Sequence, residues 1–433
     1  MAKESSQGSQ EKFKEGGVHA YVTLVVLCLL FMVNFMDRQL ISVVLEPMKK
    51  DIGLTDTQAG VIQTVFLLCI ALFSFPIARL VDRWSRRKTI GIMAILWSVF
   101  TFVTGIGRNF IQVTLPRTLV AVGEAGFSSG GTALLSTGFP ANMRSKILGI
   151  FNMMMPLGMI VGVVLGGYLS ANFGGWRTPF YIFAIPGMIL GIIAFFLRDY
   201  KTVDSVTSKE GRGFFKDAGR LLKIPTLKWM YMGYGLHNFM VYAVLAWIPA
   251  LFMRTLGIAE DKAGMITGLI AIASVIGAPL GGFIADSWQK KNGRARLLMP
   301  MIANILAVTA IILGMLALYF KLFTAAFIII GVWGLGSVLG VGAVNAASQD
   351  VVTPNYRGTS WGLAIFFMYV LGGWSPVVIG IISDALGGGA TGLQIAIGIA
   401  SAISIPAALF CWLGSRHYVA DMEKVKNAMV VAE

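Results

Sequence analysis

Two pairs of opposite charges stand inside apolar stretches where charge is costly. Asp37 and Arg38 are adjacent in one stretch, and Arg117 and Glu124 lie two helical turns apart in another. A charged side chain at the centre of a bilayer costs roughly 2.5–3.5 kcal/mol on insertion scales, so it marks a functional group by default. Arg117 and Glu124 share one helix face and can look into the same cavity. Adjacent residues diverge by about 100° around the axis, so one of Asp37 and Arg38 faces that cavity while the other reaches a neighbouring helix. Ionised, the four sum to zero. Arginine keeps its proton in practice, whereas a buried carboxylate gains one readily. Protonating Glu124, the first candidate carrier, or Asp37, the second, leaves a net positive charge that attracts an anion and releases it when the proton departs. The structural alternative is that the pairs only hold two helices together. For Arg38 and Arg117, anion binding and carboxylate pairing both stand.

Membrane spans must hold these groups. Of 433 residues, 56% are hydrophobic and 13% charged, against about 45–50% and 25% in soluble domains. A soluble chain of this length could not hide so much apolar surface, which excludes soluble enzymes and nucleic-acid binders. A spanning helix needs about 20 mostly apolar residues. Such runs fall near 18–46, 57–80, 88–107, 110–139, 146–171 and 178–197, then near 227–253, 263–285, 297–320, 322–352, 359–385 and 391–414. The expected fold is an all-α integral membrane protein of twelve transmembrane helices in two six-helix bundles. Ten-residue alternating strands are absent from the pattern, so a β-barrel is not expected.

The domain boundaries follow: an N-terminal tail 1–17, a bundle 18–197, a linker 198–226, a second bundle 227–414 and a C-terminal tail 415–433. In the linker, Phe214, Phe215, Ala218, Leu221 and Leu222 share one helical face opposite Lys216, Asp217, Arg220 and Lys223. That pattern suits a helix lying on the membrane surface, or a solvated linker helix. Lysine and arginine crowd the tails, the linker and every second loop. The other side carries only Lys49, Lys50, Arg108, Arg177, Arg254, Lys262 and Lys321. The net charge of +14 is therefore positive-inside bias. Both termini are expected in the cytoplasm, and the chain in the cell inner membrane.

The second half carries no charge deep in a span. It offers Tyr234, His237, Asn238 and Tyr242 at helical spacing, and Tyr369 further on. His237, Asn238, Tyr242 and Tyr369 are candidate substrate contacts, and His237 has the side chain that titrates near neutral pH. Packing is the plainer role for each.

The two halves repeat one another. Ala78-Arg79-Leu80-Val81-Asp82-Arg83-Trp84 is echoed by Phe283-Ile284-Ala285-Asp286-Ser287-Trp288, and Arg144 with Gly149 by Arg357 with Gly362. Repeated halves are a way transporters build a central site. The Asp82 loop resembles the signature between helices two and three of the major facilitator superfamily, with Ala78 and Ser85 where that signature has glycine. Arg117 to Gly123 is similar to the family's fourth-helix motif. Pro156, Gly158, Gly162, Gly166 and Gly167 resemble its fifth-helix motif, and Trp176-Arg177-Thr178-Pro179-Phe180 its external one. Within the superfamily, Asn34-Phe35-Met36-Asp37-Arg38, Val122-Gly123-Glu124-Ala125, Pro186-Gly187 and Trp247-Ile248-Pro249 look like spinster-type transporters. Phe139-Pro140 and Gly149-Ile150-Phe151-Asn152 partly resemble the organic anion:cation symporters.

The resemblance implies two pseudo-symmetric bundles and alternating access. It implies a cytoplasmic gate in which Asp82 meets the N-terminus of helix eleven and Asp286 that of helix five, with Arg83, Arg86, Arg87, Arg144 and Arg357 as partners. Gly158, Gly162 and Gly166 form a small-residue stripe suited to close helix packing. Gly-Lys never occurs, so a Walker A loop is absent. His19, His237 and His417 are scattered without metal spacing. No enzyme, metal or cofactor is expected. The expected function is proton-coupled symport of a small organic anion by a monomer among membrane lipids, with the proton gradient as the energy source. The second expectation is a spinster-like carrier of lysolipid or another amphipathic substrate.

Overall fold

The computed structural model describes residues 16–199 and 214–430, and they are helical almost throughout. The first half comprises α1 (Val18–Ile52), α2 (Asp56–Arg83), α3 (Arg86–Ile106), α4 (Phe110–Glu124), α5 (Phe127–Gly138), α6 (Ala141–Asn172) and α7 (Thr178–Ala194). A short helix α8 (Phe214–Leu221) ends the linker, and the rest of the linker, 200–213, lies outside the described residues. The second half comprises α9 (Pro225–Leu256), α10 (Glu260–Gln289), α11 (Ala295–Tyr319), α12 (Phe323–Leu339), α13 (Val341–Asp350), α14 (Arg357–Gly372), α15 (Ser375–Ala385), α16 (Gly389–Ser401) and α17 (Ser404–Val430). Spans four, ten, eleven and twelve are each broken into two helices, so these segments make twelve crossings. Ten stretches among the described residues are long and apolar enough to span a membrane. Thr178–Ala194 is a shorter apolar helix, and α4 with α5 completes the set.

One expected boundary moves. The tail 415–433 is not separate, because α17 runs on to Val430. Tyr418 is fully buried and bonds the Asp350 carboxylate, and Asp421 accepts the Thr226 hydroxyl at 2.8 Å. Burial of an aromatic and a hydrogen-bonded carboxylate extends the helix past the apolar run.

Glycine sets the packing within and between the halves. Gly158 and Gly162 of α6 lie against the Met32 and Met36 carbonyls of α1, where an added Cβ would come within 2.4 and 2.5 Å, and Gly166 lies against Leu40. Between halves, α2 packs on α15 and α6 on α10. There a Cβ on Gly60 would meet the Pro376 carbonyl at 2.3 Å, and one on Gly264 the Val163 carbonyl at 2.5 Å. These close approaches cluster toward the end that carries the α1–α2 and α9–α10 loops, which is closed. At the opposite end, Gly149, Gly358 and Gly362 have nothing within 4 Å of a built Cβ, and Arg144 and Arg357 are exposed. That end is open.

Candidate functional site

The helices α1 and α4 carry their charges to the same depth, where they cross-pair. Arg38 Nε donates to Glu124 Oε2 at 2.6 Å, and Arg117 Nη1 donates to Asp37 Oδ2 at 3.1 Å. Glu124 is the last residue of α4, beside the break at Gly126. Asp37 also accepts the Thr101 hydroxyl of α3 at 2.9 Å. Arg117 lies over the Phe66 ring and Arg38 over the Phe35 ring, each 4.7 Å from the centroid. The side chains of Asp37, Arg117 and Glu124 are at most 2% exposed, while Arg38 keeps 16%. One oxygen of each carboxylate, Glu124 Oε1 and Asp37 Oδ1, has no hydrogen-bond partner, and neither has Arg117 Nε. Buried atoms of this kind normally find partners. The four formal charges cancel, and the cluster is incompletely bonded.

Arg38 and Arg117 line a cavity of about 100 Å³ between the halves. Asp37 does not line it and turns instead to α3 and α4. From the first half, Phe35, Gln39, Ser42, Gln63 and Phe66 also line the cavity; from the second come Tyr242, Leu245, Tyr369 and Pro376. Arg38 Nη1 donates to the Tyr369 hydroxyl at 3.1 Å, and the rings of Tyr369 and Tyr242 stack at 5.9 Å. The cations and side-chain amides thus all come from the first half, among aromatic and aliphatic residues from both.

Two candidates fall elsewhere. His237 is buried away from this cavity, with Nδ1 3.0 Å from Asn304 Oδ1 and Nε2 2.8 Å from the Ser337 carbonyl. It fastens α9 to α11 and α12, using a carbonyl close to the break at Gly340. Asn238 turns its amide back to the Tyr234 carbonyl at 2.8 Å. Both side chains bond within the second half, and neither lines this cavity.

Arg87, Arg144 and Asp286 of the gate candidates make contacts within their own halves. Arg87 donates to the Leu197 carbonyl at 3.0 Å, Arg144 to the Phe139 carbonyl at 3.1 Å, and Arg86 is buried. Asp286 pairs at 2.8 Å with Arg296, which also holds Asp350 at 2.7 Å, so it does not reach α6 here. The open end separates the halves and leaves each loop to its neighbours. The side chains of Asp82 and Arg83 lie outside the described residues.

At the closed end stands a network that sequence reading missed. Asp56, at the start of α2, accepts both Nη1 and Nη2 of Arg254 at 2.8 and 2.7 Å, Lys49 Nζ at 2.5 Å and the Ser383 hydroxyl at 2.6 Å. Arg254 also donates to Glu46 at 2.8 Å. Asp384 of α15 caps α2 across the boundary, accepting the Thr57 amide at 2.8 Å and the Thr57 hydroxyl at 2.6 Å. A carboxylate at a helix N-terminus meets its free N–H groups and positive dipole end. These residues sit at span ends, where charge is ordinary, so no sequence signal separated them from loop charges. For Gln39, Ser42 and Gln63 a signal existed, namely polar residues at helical spacing on otherwise apolar faces.

Comparison with known proteins agrees with this architecture. The chain is 28% identical over 422 residues to an MFS-type efflux pump of Mycolicibacterium smegmatis, covering 94% of this chain and 96% of that one. It is 25% identical over 379 residues to the hexuronate transporter of Bacillus subtilis, covering 84% and 89%. A crystal structure of a bacterial homolog to the human lysosomal transporter Spinster, inward-facing and unoccupied, superposes with a TM-score of 0.83 at 23% identity, covering 94% of this chain and 99% of that one. The Major Facilitator Superfamily model matches residues 27–376. With most of its length matched and its helices paired in two halves around one cavity, this membrane transporter belongs to the major facilitator superfamily.

Proposed function

We propose that the chain is a proton-coupled secondary transporter that carries a small organic anion through the cavity between Arg38 and Arg117. The observation that carries this reading is the cross-paired cluster, in which two guanidiniums and two carboxylates cancel while an oxygen of each carboxylate stays unbonded. Protonation of Glu124 removes the charge that holds Arg38 and turns that guanidinium toward the cavity it already lines. The cluster then carries a net positive charge, which an anion neutralises. Loss of the proton restores the Arg38–Glu124 pair and expels the anion. Lysine and arginine distribution puts the closed end outside, so this conformation is inward-facing, in the inner membrane with cytoplasmic termini. Rocking of the halves about the cavity supplies alternating access.

The hexuronate transporter among the relatives moves a small organic acid, which supports this substrate class. Likeness to the spinster homologue and the apolar side chains of Phe35, Phe66 and Leu245 in the lining favour an amphipathic substrate as the second reading. A cavity of about 100 Å³ suits a small anion better than a long acyl chain, so the first is preferred. In proteoliposomes, Glu124→Gln is expected to abolish accumulation driven by an inward proton gradient while anion exchange persists. Accumulation at the wild-type rate would overturn the coupling role of Glu124.

A further inference from the structure

Three uncharged polar side chains line the cavity on its closed-end side, Gln39 and Ser42 of α1 and Gln63 of α2. Two of them satisfy each other. Gln39 Nε2 donates to Ser42 Oγ at 2.8 Å and to the Leu245 carbonyl at 3.3 Å, and Ser42 Oγ donates to the Gln39 carbonyl at 2.8 Å. Gln63 differs. It is 7% exposed, and its Nε2 has no hydrogen-bond partner. Stranding a buried amide donor is unfavourable, a cost that leucine of similar size would avoid. The neighbours of Gln63 on this wall, Ile62, Phe66 and Leu67, are all apolar, so the amide is the exception on its face.

Its position relates it to the cations. Phe66, which carries the Arg117 guanidinium on its ring, follows Gln63 by about one turn. Gln63 therefore stands roughly 5 Å along α2 toward the closed end. We propose that Gln63 is a specificity-determining residue, whose side-chain amide turns its buried Nε2 into the cavity it lines and hydrogen-bonds a substrate oxygen some distance from the anionic group held at Arg38 and Arg117. The proposal rests on the anion reading of the cavity and narrows it. With the amide turned, the substrate must present an oxygen there: a hydroxyl, a carbonyl or a second carboxylate. An alkyl acid leaves the donor stranded. A site built to hydrogen-bond a substrate group rejects analogues that lack it far more strongly than an apolar pocket rejects a methylene.

The test uses the full-length protein in proteoliposomes and two six-carbon acids, gluconate and hexanoate, which differ in hydroxylation. The wild type is expected to bind gluconate about tenfold or more tightly than hexanoate, as one satisfied buried donor allows. Gln63→Leu is expected to weaken gluconate about tenfold and to leave hexanoate within about twofold. Gln63→Met, which keeps the length and removes the donor, should do the same if the leucine variant folds poorly. Equal weakening of both acids, or an unchanged gluconate preference, overturns the role of Gln63 and leaves the anion site standing. Failure of the wild type to bind either acid overturns both.

Discussion

The two buried charge clusters use the same residue types across different boundaries. Asp37, Arg38, Arg117 and Glu124 pair inside the first half, whereas Arg254 of the second half pairs with Glu46 and Asp56 of the first. When the halves rock, the first cluster can travel as a unit with its distances kept. Its internal pairs then do not depend on contacts across the boundary. The second cluster cannot survive separation of the closed end, because its guanidinium and carboxylates ride on opposite halves. Its partners are also fully engaged, Asp56 accepting from Arg254, Lys49 and Ser383, while the first cluster keeps unbonded oxygens. The incomplete cluster suits chemistry and the complete one suits closure.

The largest expected effect comes from breaking the central cluster on one side. Arg117→Leu leaves the Asp37 carboxyl group, 2% exposed, without its cation, and such losses cost about 3–5 kcal/mol. Thermal unfolding in detergent should fall sharply, and transport should vanish. Adding Asp37→Asn to the same chain removes the stranded carboxyl group and should recover much of the melting temperature, though not transport. If Arg117→Leu melts like the wild type, the four groups do not neutralise one another as a unit.

A smaller effect is expected at the closed end. Asp56→Asn keeps one acceptor, and Glu46 still holds Arg254, so the closed contact should weaken by about 1–2 kcal/mol. That shifts the balance between conformations roughly tenfold. The readout is labelling of Gly362→Cys by an impermeant thiol reagent, in a chain where Cys28, Cys69 and Cys411 have been replaced. Gly362 has open space around it in the present conformation, so labelling should slow as the population moves away. Unchanged labelling would show that the network stabilises the fold without biasing the conformation.

The sequence disclosed the groups whose cost in lipid exposes them. Asp37, Arg38, Arg117 and Glu124 stood out because charge inside an apolar run has few innocent explanations, and the turn of α1 correctly divided Arg38 from Asp37. Run length found the twelve crossings and hid the breaks, since hydropathy does not register an interruption such as the one at Gly126. Helical spacing places His237 on a face without telling which helix covers that face; Asn304 and Ser337 cover it. Asp56 and Arg254 were invisible for the opposite reason. At a span end a charge costs little alone, and the pairing that makes this one buried needs the second half to arrive.

The mildest test lies where the central cluster touches the second half. Arg38 Nη1 donates to the Tyr369 hydroxyl at 3.1 Å, a bond that joins the central cluster to the second half. Its partner is neutral and Arg38 is partly exposed, so its loss should cost only about 1 kcal/mol. Tyr369→Phe is therefore expected to change the apparent KM for substrate roughly threefold to fivefold and to leave the pH dependence of uptake in place, because the Arg38–Glu124 pair is untouched. Uptake measured across a pH series distinguishes the roles. A moved pH profile would mean that Tyr369 shares in proton coupling, and then the central cluster does not travel with the first half alone but is completed, and opened, by the second.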